Sequence, residues 1–278
     1  MILTQENYYS KEANMEYMSM STFKNFLTNP ARALADIKDE YPWFENETAL
    51  LVGNFVHSYF ESPEAHARFI EENKSAIVNK TGKNAGKYKD DFQKAQKMIE
   101  RLEKEPQFVA DLANTEREVI VTGTLRSITE DGEFFDVKWK GKIDALDVEN
   151  GMFYDFKTVR SLVEDGRAWD PVNKQYLNFI KLRKYHLQMA VYAELLQQQY
   201  GKEFTPVIWA VSKDKEPLAK PYLITRDTMN YALEEVKDKQ IDVIAYRDEF
   251  VEAPLYNDAS NFYNYAHRVK SYDEYKEI

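Results

Sequence analysis

The stretch Gly141-Lys142-Ile143-Asp144, followed by Tyr154-Asp155-Phe156-Lys157, decides how this chain is read. Between its halves stands Asn150-Gly151, the strongest short-range hairpin signal a sequence can carry. With those two residues as the turn, Glu149 faces Met152, Leu146 faces Asp155, and Asp144 faces Lys157. Partners across a hairpin share a face, as do residues i and i+2 along a strand. Asp144, Asp155 and Lys157 therefore converge. A three-residue loop would shift the pairing by one and part Asp144 from the other two.

Convergent carboxylates have a chemical use. Two oxygen ligands on a rigid sheet can hold a hard divalent cation, Mg²⁺ or Mn²⁺, that keeps waters and binds phosphates. A lysine beside them can stabilise developing negative charge. That is the equipment of metal-assisted phosphodiester hydrolysis. The same three residues would also make a plain cross-strand salt bridge on a solvated face, so the rest of the chain decides.

Local patterns supply the frame. Ser19-Met20-Ser21-Thr22 reads as a helix start with Phe23, Phe26 and Leu27 at helical spacing. Thr48 opens a helix to Glu61, stopped at Ser62-Pro63, with Gly53 and His57 one turn apart. The ranges 64–78 and 88–104 read as helices. Glu118–Thr124 reads as a strand and 133–148 as a long one. In the long strand, Asp136, Lys138, Lys140, Lys142 and Asp144 alternate with Phe135, Val137, Trp139 and Ile143, placing Asp144 on the wetter face. Met152–Thr158 is the next strand, 182–200 a helix ended by Gly201, and 206–212 and 220–225 two more strands. A charged helix runs from Asp227 to about Asp248.

The order Gly53-Asn54-Phe55-Val56-His57, Lys142-Ile143-Asp144, Asp155-Phe156-Lys157 and Gln188-Met189-Ala190-Val191-Tyr192 resembles the PD-(D/E)XK nuclease superfamily, and within it the RecE-like, phage-type exonucleases, which share their motif order with RecB-type nuclease domains. The likeness covers roughly residues 17 to 225, although Ile143 stands where the superfamily's proline would be. It implies a restriction-endonuclease-like α/β fold: an αβββαβ core, about residues 48–225, whose mixed central sheet is flanked by helices. The whole of 1–278 is then a single domain with 226–278 as a helical extension. It further implies Asp144, Asp155 and Lys157 as catalytic residues, with Asp144, Asp155, His57 and Glu118 around Mg²⁺ or Mn²⁺. Gln188 would contact the DNA backbone, and Tyr192 would orient substrate or a ligand. By spacing alone, Gln188 and Tyr192 are just an i,i+4 pair on one helix face, and His57 a helix histidine. The activity implied is 5′→3′ digestion of duplex ends. Implied partners are a single-strand annealing protein and a ring-shaped homo-oligomer.

Composition fits a packed chain. It has 278 residues, 44% hydrophobic, with 19 tyrosines and only nine glycines and nine prolines, enough to bury about three-quarters of its unfolded surface. It lacks cysteine, which excludes a disulfide framework and thiolate chemistry. No apolar run is long enough for a membrane span, and no basic-then-apolar leader starts at Met1. A soluble cytoplasmic protein is the expectation. The absence of a G-x-x-x-x-G-K-[ST] motif excludes a helicase motor in the chain.

A net charge of −10 argues against nucleic acid, but net charge does not report local charge. Between Lys74 and Lys97 lie seven lysines against Asp90 and Asp91, and Thr81-Gly82-Lys83-Asn84-Ala85-Gly86-Lys87 reads as a flexible basic loop. Lys83, Lys87 and Lys89 are the candidate phosphate contacts; a merely solvated loop is the plain alternative. A second basic cluster is Lys181, Arg183 and Lys184. The tail from Leu255 carries Tyr256, Phe262, Tyr263, Tyr265, Tyr272 and Tyr275. Such aromatics can stack on bases, but the tail is not basic, so packing against the protein is expected. Two functions follow: a metal-dependent DNA exonuclease, or a non-catalytic nucleic-acid-binding or assembly protein on the same fold. Within enzymes, an endonuclease or a helicase-associated module is the runner-up.

Overall fold

The computed structural model describes residues 1–43, 48–129, 131–170, 174–256 and 260–267. The chain forms two compact units. One comprises 46–124 and 138–236, the other 1–45, 125–137 and 237–278.

The first unit is a mixed α/β sandwich. Its elements, in chain order, are helix α1 (Thr48–Glu61), helix α2 (Asp90–Glu103), strands β1 (Glu116–Ile128), β2 (Phe134–Asp147) and β3 (Met152–Val159), helix α3 (Tyr185–Tyr200), and strands β4 (Thr205–Ser212) and β5 (Ala219–Leu223). β1 and β2 each continue into the second unit. The sheet order is β2-β3-β4-β5, with β1 also paired to β2. β3 runs antiparallel to β2 and parallel to β4, and β5 is antiparallel to β4. The α1-β1-β2-β3-α3-β4 succession is the expected αβββαβ order, and the mixed sheet has helices on its faces.

One face carries the core. Ala145, Tyr154, Phe156, Val207, Trp209 and Val211 pack against Val52, Phe55 and Val56 of α1 and against Phe92, Ala95, Met98, Ile99 and Leu102 of α2. Strand alternation sends Asp155 and Lys157 to the opposite face, beside Ile208 and Ala210, their partners on β4. Helix α3 lies on that side. Gly201 ends it at φ +69°, its N–H donating to the Gln197 carbonyl at 2.8 Å, the left-handed cap a glycine supplies without strain.

The hairpin differs from the expected one. The observed pairs are Ala145↔Tyr154, Leu146↔Phe153 and Asp147↔Met152, so Val148 to Gly151 form a four-residue turn. Asp147 is the reason: its carboxylate accepts from the Asn150 N–H at 2.9 Å and the Asn150 amide at 2.7 Å, so the aspartate closes the turn two residues earlier. The register moves by two, and a shift of two keeps every side chain on its face. Asp144 and Asp155 stay together. The polar positions of β2 turn inward along the strand: Lys140 is only 1% exposed, and Lys142 and Asp144 are half-buried.

In the second unit, Ser19 caps Met20–Thr28 with its hydroxyl on the Thr22 N–H, and Asn29 ends that helix and caps Pro30–Ile37. Gln240 donates to the Leu125 carbonyl at 3.1 Å and to the Ser127 hydroxyl at 2.6 Å. Phe262 is buried, and its ring and that of Tyr265 meet Tyr41 at 5.4 and 4.8 Å. These tail aromatics pack within their own unit; Tyr272 and Tyr275 lie outside the described residues. No helix among the described residues is long and apolar enough to cross a membrane.

Candidate active site

His57, Glu118, Asp144, Asp155, Lys157, Gln188 and Tyr192 all belong to the first unit, and the structure brings them to one place. Helix α1 buries Val52, Phe55 and Val56 in the core, which leaves His57 at the edge, reaching the end of the hairpin. Its Nε2 lies 2.8 Å from the Phe156 carbonyl, to which it donates. That bond fixes the tautomer and turns Nδ1 toward Asp144 Oδ2, 3.4 Å away. An imidazole whose far nitrogen is tied to a carbonyl is arranged as metal ligands commonly are. Gly53 is less demanding than its spacing suggested: a Cβ there would sit 3.7 Å from Thr158 Oγ1, an ordinary contact.

Asp144 is held from a second side, its Oδ2 accepting the Phe156 N–H at 2.6 Å. Asp155 is 3% exposed. Its Oδ1 accepts from the Gln188 amide at 2.9 Å, and its Oδ2 lies 2.7 Å from Lys157 Nζ without hydrogen-bond geometry. A buried carboxylate oxygen without a hydrogen bond needs an explanation. Lys157 also sits 5.0 Å over the Tyr185 ring.

Glu118 joins from β1 by a route that strand periodicity does not predict. Its φ is +51°, a left-handed conformation that costs a non-glycine residue on the order of 1 kcal/mol. The kink gives Glu118 an ion pair with Lys142 at 3.0 Å. It also puts one ligand atom each of His57, Glu118 and Asp144 within 4.8 Å of one another.

The charges are strongly coupled. Burial opposes the charge on His57, but the Asp144 carboxylate more than offsets it and carries the imidazole up to about 9. Burial likewise opposes ionisation of Asp144, but His57 above all holds it below the usual carboxylate range. Burial and the neighbouring Asp144 charge push Asp155 up, and the same two causes raise Glu118. Burial works against Lys157, yet Asp155 and Asp144 lift it above an ordinary lysine, so it stays an ammonium. Two carboxyls raised and one lowered within one cluster is the pattern of a site that crowds negative charge until a cation offsets it. The donors are carboxylate oxygens and one imidazole, and the Asp155 oxygen paired with Lys157 adds another. The set fits a hard divalent cation such as Mg²⁺ or Mn²⁺.

Helix α3 closes the site. The Gln188 side chain is buried and its amide donates to Asp155 Oδ1, which holds that carboxylate in place. The Tyr192 ring lies on the strand: a Cβ at Gly141 would come within 2.7 Å of it, so residue 141 must lack a side chain for α3 to approach. The basic loop is stapled at its base, with Asn79 bonded to the Lys87 carbonyl and Gly86 to the Asn79 carbonyl, both at 2.9 Å. Lys83 and Lys87 are exposed; Lys89 is exposed too, but donates to the Ser75 carbonyl at 3.1 Å. The Tyr88 ring packs 5.5 Å from Phe55, on the helix that carries His57. His66 is structural, its Nδ1 2.9 Å from the Ser58 hydroxyl. Sequence reading missed the Lys142–Glu118 pair; the one available signal was opposite charge on two neighbouring strands.

Comparison with known proteins agrees with this geometry. Residues 19–259 match the family described as "PDDEXK-like domain of unknown function (DUF3799)". The crystal structure of a protein from Eubacterium rectale, designated "Putative exonuclease", superposes with a TM-score of 0.82 at 28% identity, covering 100% of this chain and 97% of that one. A second solved structure, SSO0001, aligns over 79% of this chain and 85% of its own at 16% identity and a TM-score of 0.28, too distant to carry an argument. No curated protein matches the sequence. The family match spans most of the chain, and on it this protein belongs to the PDDEXK-like family, within the PD-(D/E)XK nuclease superfamily.

Proposed function

We propose that this protein is a divalent-metal-dependent deoxyribonuclease that hydrolyses duplex DNA from its ends, 5′→3′, in phage-type recombination or repair. The observation that carries the reading is the convergence of His57, Glu118 and Asp144 beside Asp155 and Lys157, with a buried Asp155 oxygen lacking a hydrogen bond. A cation held by His57, Glu118, Asp144 and Asp155 would polarise a phosphate oxygen and acidify water. Lys157 sets a fixed positive charge beside that position, stabilising the negative charge that develops on phosphate. Gln188 keeps Asp155 from rotating. The Phe156 carbonyl keeps Nδ1 of His57 aimed inward, where it would serve as a ligand once deprotonated. The lysines at 83 and 87 supply sequence-independent attraction for the duplex.

The test is digestion of linear duplex, labelled at the 5′ or the 3′ end, beside closed circular DNA, each with Mg²⁺, Mn²⁺ or EDTA. Release of 5′ label from linear DNA, resistance of circles and silence in EDTA are expected. Cleavage of circles would favour an endonuclease. Binding without hydrolysis under every condition would favour the non-catalytic reading. Sedimentation of the protein alone tests the ring-shaped oligomer. Stimulation by a single-strand annealing protein tests that partner.

A further inference from the structure

We propose that the small hairpin Ala168–Asp170/Gln175–Leu177 carries a stacking platform for a single-stranded DNA tail, formed by Trp169, Tyr176 and Arg167. Trp169 and Tyr176 are partners across the hairpin and so share a face. Their rings meet edge to face at 5.3 Å. The Arg167 guanidinium lies 4.6 Å over the Tyr176 ring. Yet Trp169 is 50% and Tyr176 58% exposed. Large aromatics left in water together, with a cation on them, form a surface that is built but uncovered.

The charge around them selects the occupant. Between residues 160 and 184 the chain has six basic residues against three acidic ones, although the whole protein carries −10. Exposed aromatic faces with a guanidinium over them, in a basic stretch of chain, suit an unpaired strand: phosphates meet the cations, and bases of any sequence stack on the rings. Duplex DNA offers the phosphates but hides its base faces.

The platform is fixed to the candidate active site. A hairpin this short is marginal alone. Here the helix Phe179–Leu182 follows it directly, and the Phe179 ring sits 5.2 Å from Tyr222 and 6.1 Å from Tyr185. Tyr185 in turn underlies Lys157. Before the hairpin, Asp165 accepts from the Tyr222 hydroxyl at 2.8 Å. Gly166 has φ +61°, and a Cβ there would fall 2.8 Å from the Ser161 carbonyl oxygen, so the entry to the hairpin is close-packed. A tail on these rings would therefore leave the duplex next to the candidate nuclease centre.

The proposal rests on the nuclease reading only for the choice of nucleic acid, and its test avoids hydrolysis. Binding is measured by fluorescence anisotropy in EDTA for a blunt duplex of about 20 base pairs and for the same duplex with a 5′ or 3′ tail of about ten thymidines, within the usual range of single-strand site sizes. The wild-type protein should prefer a tailed duplex. Trp169→Ala and Tyr176→Ala should each reduce that preference by about tenfold. Trp169→Phe and Tyr176→Phe, which keep a stacking ring, should retain most of it; they serve as the controls for folding. An equal preference in all variants would overturn the proposal, as would a wild-type protein blind to the tail. A change in sedimentation on Trp169→Ala with the tail preference intact would also overturn it, assigning the face to a second copy of the chain.

Discussion

In the β2–β3 hairpin, Asp155 is 3% exposed and Lys140 1%. In the hairpin that follows, Trp169 is 50% exposed. The two invert the usual preference for apolar inside and charged outside, and for opposite reasons. The first holds Asp155 against Gln188 of helix α3 and buries Lys140 as well, in surroundings whose low dielectric makes a charge act strongly on its neighbours. The second holds aromatic surface in water, where it can gain energy only by being covered. The first is suited to chemistry at a point and the second to adhesion along a strand, and substitutions should divide them accordingly.

The largest effects belong to the buried hairpin. Asp144→Asn, Asp155→Asn and Lys157→Ala should each lower hydrolysis by at least about 10³-fold, about 4 kcal/mol of transition-state stabilisation. Asp155→Asn should not lose stability, whereas Asp144→Asn should, because His57 holds the Asp144 carboxyl below its usual range in the fold. Burial raises the Asp155 carboxyl in the fold, so its ionised form opposes folding at neutral pH, and a neutral side chain removes that penalty. Thermal midpoints of metal-free protein check this; a near wild-type rate in any of the three would sink the site.

Lys140 is a buried charge outside the set of metal ligands. Burial lowers its ammonium to about 8. With a folded pKa below the unfolded one, protonation opposes folding; the penalty is full below about 8 and fades as pH rises toward 10.5, the ordinary lysine value. Relative to wild type, Lys140→Met should therefore be favoured at pH 7 by roughly 1–3 kcal/mol more than above pH 10.5. The gap should close between pH 8 and 10.5, as denaturant unfolding would measure. A gap that widens in that window would contradict the burial argument.

Glu118 combines backbone strain with a ligand role. Glu118→Gly relieves its positive φ, worth about 1 kcal/mol, but removes the ion pair with Lys142, so metal-free stability should change little while Mn²⁺ binding weakens about tenfold. Loss of stability together with unchanged Mn²⁺ affinity would mean that the kink serves packing alone.

The smallest effect lies on the exposed loop. Lys83, Lys87 and Lys89 replaced together by alanine should weaken duplex binding about equally for all sequences. The log–log salt slope should fall by roughly one unit per lost phosphate contact. Lys89, which donates to Ser75, should contribute least when tested alone. An unchanged slope would leave the loop as solvated surface.

The two hairpins also differ in how far the sequence reveals them. Asp144 and Asp155 could be placed on one face even though Asp147 lengthened the turn, because an error of two residues leaves side-chain parity intact. The αβββαβ order was readable from strand alternation and from helix-end signals such as Ser62-Pro63 and Gly201. The position of Glu118 was open only to resemblance, since a left-handed residue inside a strand breaks the period from which its direction would be read. The burial of Lys140 was hidden because a covered polar face and a wet one share one alternation pattern. The Trp169–Tyr176 pair left no trace, because strands of three residues are too short to show a period. Division of the chain into two units joins stretches distant in sequence, which no local pattern encodes.

Calorimetric titration of Mn²⁺ into metal-free wild-type protein and into Asp144→Asn, without DNA, tests the central claim most directly. The account predicts saturable binding by the wild type, tighter as pH rises because His57 must release a proton, and binding weakened at least about tenfold in the variant. Equal binding by the two proteins, or none by the wild type, would contradict the assignment of His57, Glu118, Asp144 and Asp155 as a metal centre.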